Sequence, residues 1–414
     1  MDLLTIITIL IVVAAFFGYL NVRFLKLPVT IGLMVISLAF SLLTMGVGQY
    51  FPALFEMEKS LVEQIDFHEA LMQGMLSFLL FAGALHVDFR QLKDMRWPIL
   101  LFATLGVVTS TFLVAGLAYG LFNALGLSIP FLHCLLFGAL ISPTDPIAVL
   151  GILKKAGVPK SLETKIVGES LFNDGIGVVV FITIYQLAQA GAGQFDAGQV
   201  AFLFAEEVGG GILLGLGLGY LAYYMMKTID DYEVEVLVTL ALVMGGYLLA
   251  SSLHFSGPLA MVVAGLMVGH ERFRTSSMSE QTERYVDKFW ELMDVLFNAV
   301  LFVLIGLEII ILDFSTVYLL AGALAIPMVL LARATALAGP IALFKKRLAF
   351  APKTNLIMTW GGLRGGISIA LALSLADYMS RTPILTVTYI VVVFSIIVQG
   401  LTVGKMVQKY ATKP

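Results

Sequence analysis

Two short polar runs, Ser142-Pro143-Thr144-Asp145-Pro146 and Glu169-Ser170-Leu171-Phe172-Asn173-Asp174-Gly175, sit inside strongly apolar sequence. Both carry carboxylates where hydrocarbon would normally exclude them. An ionisable group at membrane depth marks, by default, an ion or proton path. In the first run, proline removes a backbone N–H and crowds the carbonyl four residues earlier. Pro143 and Pro146 therefore free the carbonyls near Ala139 and Ser142 and are expected to unwind the helix around Thr144. Freed carbonyls are tolerated at depth only where they line a cavity or meet a partner, and a hard monovalent cation takes oxygen ligands of this kind. Thr144 offers a carbonyl and a hydroxyl. Asp145 offers a carboxylate, which would serve equally as a cap for the helix N-terminus that the break creates.

In the second run, an unbroken helix places Ser170, Asn173, Asp174 and Gly177 within roughly one 100° sector. Gly177 would leave room beside the Asp174 carboxylate for a partly hydrated ion. Glu169 faces a different neighbour, and a buried carboxylate needs a strong partner. The expected partner is Arg364, in the run Gly361-Gly362-Leu363-Arg364-Gly365-Gly366, as a structural ion pair. Glu308 and Arg333 form a second intramembrane pair of opposite sign, expected to be structural or to tune the field. His86 and His133 lie near span ends and read as satisfied polar residues. Asp174 can hold a proton or a cation but not both. Exchange of one for the other leaves the charge of the site unchanged, so competition at one carboxylate would give electroneutral exchange.

These residues need membrane-spanning helices to hold them. Of 414 residues 59% are hydrophobic and only 13% charged, a balance outside soluble globular composition. Apolar stretches of about 17–28 residues, enough for a bilayer core of roughly 30 Å, recur thirteen times: 3–20, 28–47, 69–88, 97–121, 129–153, 163–190, 199–226, 233–253, 257–270, 289–312, 316–344, 354–376 and 382–406. The ninth is short. Of the 25 Lys and Arg, all but Lys59, Arg381 and the intramembrane Arg333 and Arg364 fall on alternate connections. The positive-inside rule then puts the N-terminus outside and the C-terminus in the cytoplasm of a multi-pass cell-membrane protein. Asp2 and the absence of a small-residue cleavage site make 3–20 a retained helix rather than a signal peptide.

Thirteen spans divide as a first repeat of six (1–190), a linker helix (199–226), a second repeat of six (233–406) and a short cytoplasmic tail (407–414). The repeats would be inverted, with broken fifth and twelfth spans crossing at mid-membrane, where transporters of this architecture bind substrate. The glycines of the linker helix suit close packing, internal or between two copies. Residues 271–288 read as a cytoplasmic surface helix. The single cysteine, Cys134, excludes a disulfide within the chain, and no metal-ligand spacing occurs among the histidines.

Thr-Asp-Pro in span 5, Glu-Ser-Leu-Phe-Asn-Asp-Gly in span 6 and Trp360-Gly361-Gly362-Leu363-Arg364-Gly365 in span 12 together resemble the monovalent cation:proton antiporters of the NhaP type, relatives of the eukaryotic sodium/proton exchangers. The likeness covers nearly the whole chain. It implies a thirteen-helix homodimer with a six-helix core domain and a dimerisation domain, exchanging Na⁺, with Li⁺ as a further substrate, for H⁺ by alternating access, with no cofactor and no nucleic-acid partner. By the same resemblance Asp174 is the ion- and proton-binding carboxylate, Ser170 and the Thr144 backbone further ligands, and Asn173 and Asp145 shape the site. The Asn-Asp pair and Arg333 match the electroneutral members. One departure stands out: Leu79-Leu80-Phe81-Ala82 has Ala82 where many relatives carry a carboxylate, and a site with one acidic ligand fewer opens the alternative of K⁺/H⁺ exchange. Two other classes fit less well. An intramembrane aspartyl protease has other sequence contexts around its aspartates, and a cation channel lines its pore with repeated filters or charge rings.

Overall fold

The computed structural model describes residues 3–48, 50, 52–65, 67–87, 92, 96–145, 160–190, 197–271, 273–274, 278–344 and 353–411. Among them every regular element is a helix. In chain order these are α1 (Leu3–Leu20), α2 (Val29–Val47), α3 (Pro52–Gln64), α4 (Phe67–Leu85), α5 (Trp97–Ala124), α6 (Phe131–Ile141), α7 (Lys160–Ala190) and α8 (Ala197–Lys227). They continue as α9 (Tyr232–Ser252), α10 (Gly257–Val268), α11 (Glu280–Leu307), α12 (Thr316–Phe344), α13 (Thr354–Gly361), α14 (Gly366–Leu373) and α15 (Arg381–Tyr410).

Ten helices are long and apolar enough to cross a bilayer, or eleven if α13 and α14, bent by 52° at their junction, form one span. The shorter α6 and α10 occupy the expected fifth and ninth positions. Thirteen full-length spans are therefore not reached among the described residues. Pro146, the rest of the fifth span to 153, and the basic residues Arg90, Lys93, Lys154, Lys155, Arg272, Lys345, Lys346, Arg347 and Lys413 lie outside the described residues.

Two polar segments depart from expectation. In the stretch 271–288, the residues from 280 on do not belong to a separate surface helix. From Glu280 they are the first turns of α11, which runs unbroken into the membrane after the Ser279 side chain accepts from the Thr282 N–H at 3.3 Å. Arg274 anchors those turns on Glu283 (3.0 Å) and Asp287 (2.8 Å), and the two carboxylates hold its guanidinium charged. The second segment, α3, is too polar to register as a span, with Glu56, Glu58, Lys59 and Glu63 in thirteen residues. It lies against α2 through buried Glu58, which accepts from the Ser41 and Thr44 hydroxyls.

Lipid gives helices no hydrophobic reason to associate, so close packing and small residues must hold them together. α8 uses its glycines in this way. A Cβ on Gly211 would lie 2.8 Å from the Ser256 carbonyl oxygen, and one on Gly215 would lie 2.5 Å from that of Ala260. One face of α8 is thus an internal seam for α10, while Leu213, Tyr220 and Tyr224 stand exposed on it.

Candidate ion-binding site

The site is assembled where two helices stop short. α6 ends at Ile141, and Ser142–Asp145 follow without helical structure. The Ser142 hydroxyl turns back to the Gly138 carbonyl (2.7 Å) and onto Ser110 Oγ (2.9 Å), so part of the interrupted ladder is satisfied by a side chain. α13 ends at Gly361 and α14 begins at Gly366, leaving Gly362–Gly365 as the second interruption. The Asp145 N–H donates to the Leu363 carbonyl at 2.8 Å, joining the two breaks by their backbones. Gly365 is needed there: a Cβ would fall 2.1 Å from Asp145 Oδ2.

α7 runs past the breaks and presents the second polar run to them. The Thr144 N–H donates to Asn173 Oδ1 (3.1 Å), and Asn173 Nδ2 donates to Thr144 Oγ1 (2.8 Å). Thr144 Oγ1 and Ser170 Oγ are 2.9 Å apart. Asn173 therefore acts as both acceptor and donor to one threonine, which an aspartate could not do. Ser170, Asn173, Thr144 and Asp174 are all buried. No hydrogen bond reaches the Asp174 carboxylate among the described residues. It lines, with Asp145, a cavity of about 20 Å³ walled by Leu71, Leu76, Leu79, Leu80, Pro143, Leu301 and the start of α14. That is space for about one water-sized particle. The charges of Asp145, Arg364 and Glu169 all act on Asp174.

Neither of the two ion pairs expected from sequence forms. Glu169 meets Arg333, not Arg364, through a two-pronged contact: Nη1 to Oε1 and Nη2 to Oε2, both 3.1 Å. Arg333 Nε also donates to the Met358 carbonyl (3.1 Å), and its guanidinium lies over Gly362, where a Cβ would come within 2.1 Å. Arg364 points the other way. Its Nη1 donates to the carbonyls of Pro143 (2.8 Å) and Ser142, and its N–H donates to Ser395 Oγ (2.9 Å). The cause is the first break: carbonyls at a helix C-terminus carry partial negative charge and draw a cation. Glu308 does not face Arg333 at all. It begins a 3₁₀ turn, Glu308–Ile311, on a different cavity whose nearby cation is Arg381.

Two further expectations change. The space beside Gly177 is filled by Pro143, whose Cγ would lie 2.0 Å from an added Cβ, so this glycine admits a proline ring rather than an ion. Ala82 is buried in a cluster with Phe81, Ala260, Met261 and Trp290. α4 faces the small cavity instead through Leu71, Leu76, Leu79 and Leu80, so a carboxylate missing at position 82 is not a ligand missing from the cavity. His86 and His133 are satisfied polar residues, bonding the Ala82 carbonyl (2.8 Å) and Ser380 (3.0 Å). Ser395 and Ser110, which support the two breaks, escape sequence reading because no charge or helix breaker marks them.

Comparison with known proteins gives a consistent picture. The family described as "Sodium/hydrogen exchanger, transmembrane" matches residues 11–409. The chain is 51% identical over 403 residues to the Na(+)/H(+) antiporter NhaP of Pseudomonas aeruginosa, covering 96% of this chain and 94% of that protein. It is 35% identical over 391 residues to the Na(+)/H(+) antiporter NhaH of Halobacillus dabanensis, covering 94% and 93%. Its fold is similar to that of the sodium proton antiporter MjNhaP1 from Methanocaldococcus jannaschii at pH 8, with a TM-score of 0.77, 20% identity and full coverage of both chains.

Proposed function

The chain belongs to the sodium/hydrogen exchanger family, and from that premise we propose that it exchanges Na⁺ for H⁺ across a cell membrane, with ion and proton competing for Asp174. Members of this family are transporters, not enzymes, and the chain is a multi-pass membrane protein. The observation that carries the proposal is a buried carboxylate with no hydrogen-bond partner among the described residues, facing a cavity of about 20 Å³ between two helix breaks. The hydroxyls of Thr144 and Ser170, 2.9 Å apart on the first break and on α7, would complete the ligand set. Asp145 sits on the same cavity as a second, supporting carboxylate. Loading Asp174 with either a proton or a monovalent cation removes its negative charge, and a neutral site crosses the low-dielectric barrier at lower cost than a charged one. The exchange is then one for one and electroneutral, and alternating access carries the loaded site between the two sides.

The remaining residues serve this site from outside it. Glu169 and Arg333 brace α7 against α12 and α13, and Arg364 holds the carbonyls of the first break. Na⁺ or Li⁺ is favoured over K⁺ on size, because the cavity beside Asp174 has room for one small ion. The two breaks, one in each half and bonded through Asp145 and Leu363, support the reading of inverted six-helix repeats. The distribution of Lys and Arg supports an external N-terminus. A homodimer stays part of the proposal on the resemblance alone. No cofactor is required by this chemistry.

The deciding experiment is Na⁺-driven proton flux in proteoliposomes with the membrane potential collapsed. Asp174→Asn should abolish exchange while the protein keeps its elution profile and thermal transition. Cation-dependent proton flux surviving in a folded Asp174→Asn protein would refute the assignment.

A further inference from the structure

We propose that Glu308 is a second cation-binding carboxylate, a holding site that takes a hydrated Na⁺ at the floor of a vestibule before it reaches the Asp174 cavity. The inference rests on the exchange reading above.

The vestibule is a cavity of about 940 Å³ on the side of the protein that carries Lys59 and Arg381. It shares Met72, Ile182, Tyr247 and Ser251 with a neighbouring cavity of about 330 Å³, so the two are continuous along α7 and α9. Glu308 lies on the wall of the larger one, 3% exposed. Among the described residues it makes no hydrogen bond and no ion pair. The other charged groups lining this space are engaged. Glu63 pairs with Lys59 at 3.8 Å and Arg381 with Asp377 at 3.4 Å, both toward solvent. His68 donates Nδ1–H to the Ala370 carbonyl at 3.1 Å. The nearby Tyr389 hydroxyl is committed to the Ile305 carbonyl at 2.9 Å. Arg381 is close enough for its charge to act on Glu308, but no bond joins them. A buried carboxylate that no protein cation claims is costly, and a hydrated cation from the cavity supplies the missing partner.

Position connects it to exchange. α14 is the wall common to both spaces: Gly366, Ile367 and Ser368 line the Asp174 cavity, and Leu371 and Leu373 line the vestibule. From Ser368 to Leu371 the helix rises about 4.5 Å. The two spaces are thus walled by α14 residues one helix turn apart. The charge of an ion held at Glu308 compensates the carboxylate there, and the size of the vestibule lets the ion keep most of its water. Carboxylates in a low-dielectric cleft concentrate counter-ions and speed their entry by about 10- to 1000-fold. The role is therefore visible when entry limits turnover, at low Na⁺.

The test compares wild type, Glu308→Gln and Glu308→Asp in proteoliposomes, with Na⁺ added on the vestibule side. Glu308→Gln should raise the Na⁺ needed for half-maximal exchange about tenfold, the lower end of that range, while the rate at saturating Na⁺ stays close to wild type. Glu308→Asp, which keeps the charge, should restore most of the loss. Wild-type exchange at low Na⁺ in Glu308→Gln would overturn the proposal. A second measurement needs no substitution at Glu308: carbodiimide labelling of that residue in the Asp174→Asn protein, read by peptide mass spectrometry. NaCl should protect Glu308 where choline chloride does not, and equal labelling in the two salts would overturn the holding site. Survival of exchange in Asp174→Asn would refute the main assignment instead, so the two failures are distinguishable.

Discussion

The partner of Glu169 can be decided by coupling energies. The Arg333 guanidinium makes two charge-assisted contacts with Glu169 at 3.1 Å and a third bond to the Met358 carbonyl. Hydrogen bonds to charged groups contribute about 1.5–3 kcal/mol each. Removing one member of a buried pair costs about 3–5 kcal/mol because the other is stranded. Glu169→Gln and Arg333→Gln should each destabilise the protein by roughly that amount. The double substitution strands no charge, so its cost should fall short of the sum by about 2–3 kcal/mol. The same cycle between Glu169 and Arg364 should give a coupling below about 1 kcal/mol, since Arg364 is bonded to carbonyls that Glu169→Gln leaves in place. Equilibrium unfolding of the purified protein in mixed micelles measures wild type and all five variants. A larger coupling for Glu169–Arg364 than for Glu169–Arg333 would refute the pairing described here.

Gly177→Ala tests the fit of the first break. Relieving the 2.0 Å approach to Pro143 Cγ up to an ordinary 3.4 Å contact needs a shift of about 1.4 Å, and misplacing reacting groups by ~1 Å can cost about 100-fold. Na⁺-driven proton flux should fall by one to two orders of magnitude on that basis, whereas Gly217→Ala on α8, which meets nothing within 4 Å, should behave as wild type. Ala82→Glu should lower thermal stability, because it buries a charge among Phe81, Met261 and Trp290. Its Na⁺-to-K⁺ preference, read from flux with each ion, should stay that of the parent. A marked change of preference would show that position 82 reaches the ion.

What was legible in the sequence follows local rules. Proline chemistry predicts the end of α6 near Ser142, and helical periodicity brings Ser170, Asn173 and Asp174 to one sector. Ser170 and Asn173 meet Thr144, and Asp174 meets the cavity. Matching two intramembrane arginines to two intramembrane glutamates is a different problem, because no local rule says which helices cross. The pairing depends on Arg333 reaching across Gly362 and on Arg364 being drawn to carbonyls, which carry no letter in the sequence. Gly177 marks a close approach without naming what approaches. α3 is missed because a helix held by one buried glutamate on two hydroxyls has none of the apolar length that hydropathy detects.

The contact between Gly365 and Asp145 bears on how such a protein can change its ion. An added methyl at 365 would collide with the carboxylate, and one at 177 would collide with Pro143. The breaks are sterically full, so mutation there tends to inactivate rather than adjust. Freedom lies on the opposite wall, where Leu71, Leu76, Leu79, Leu80 and Leu301 enclose the cavity without bonding to anything. New selectivity, whether reached by natural drift or by directed evolution, has its accessible path through those five leucines.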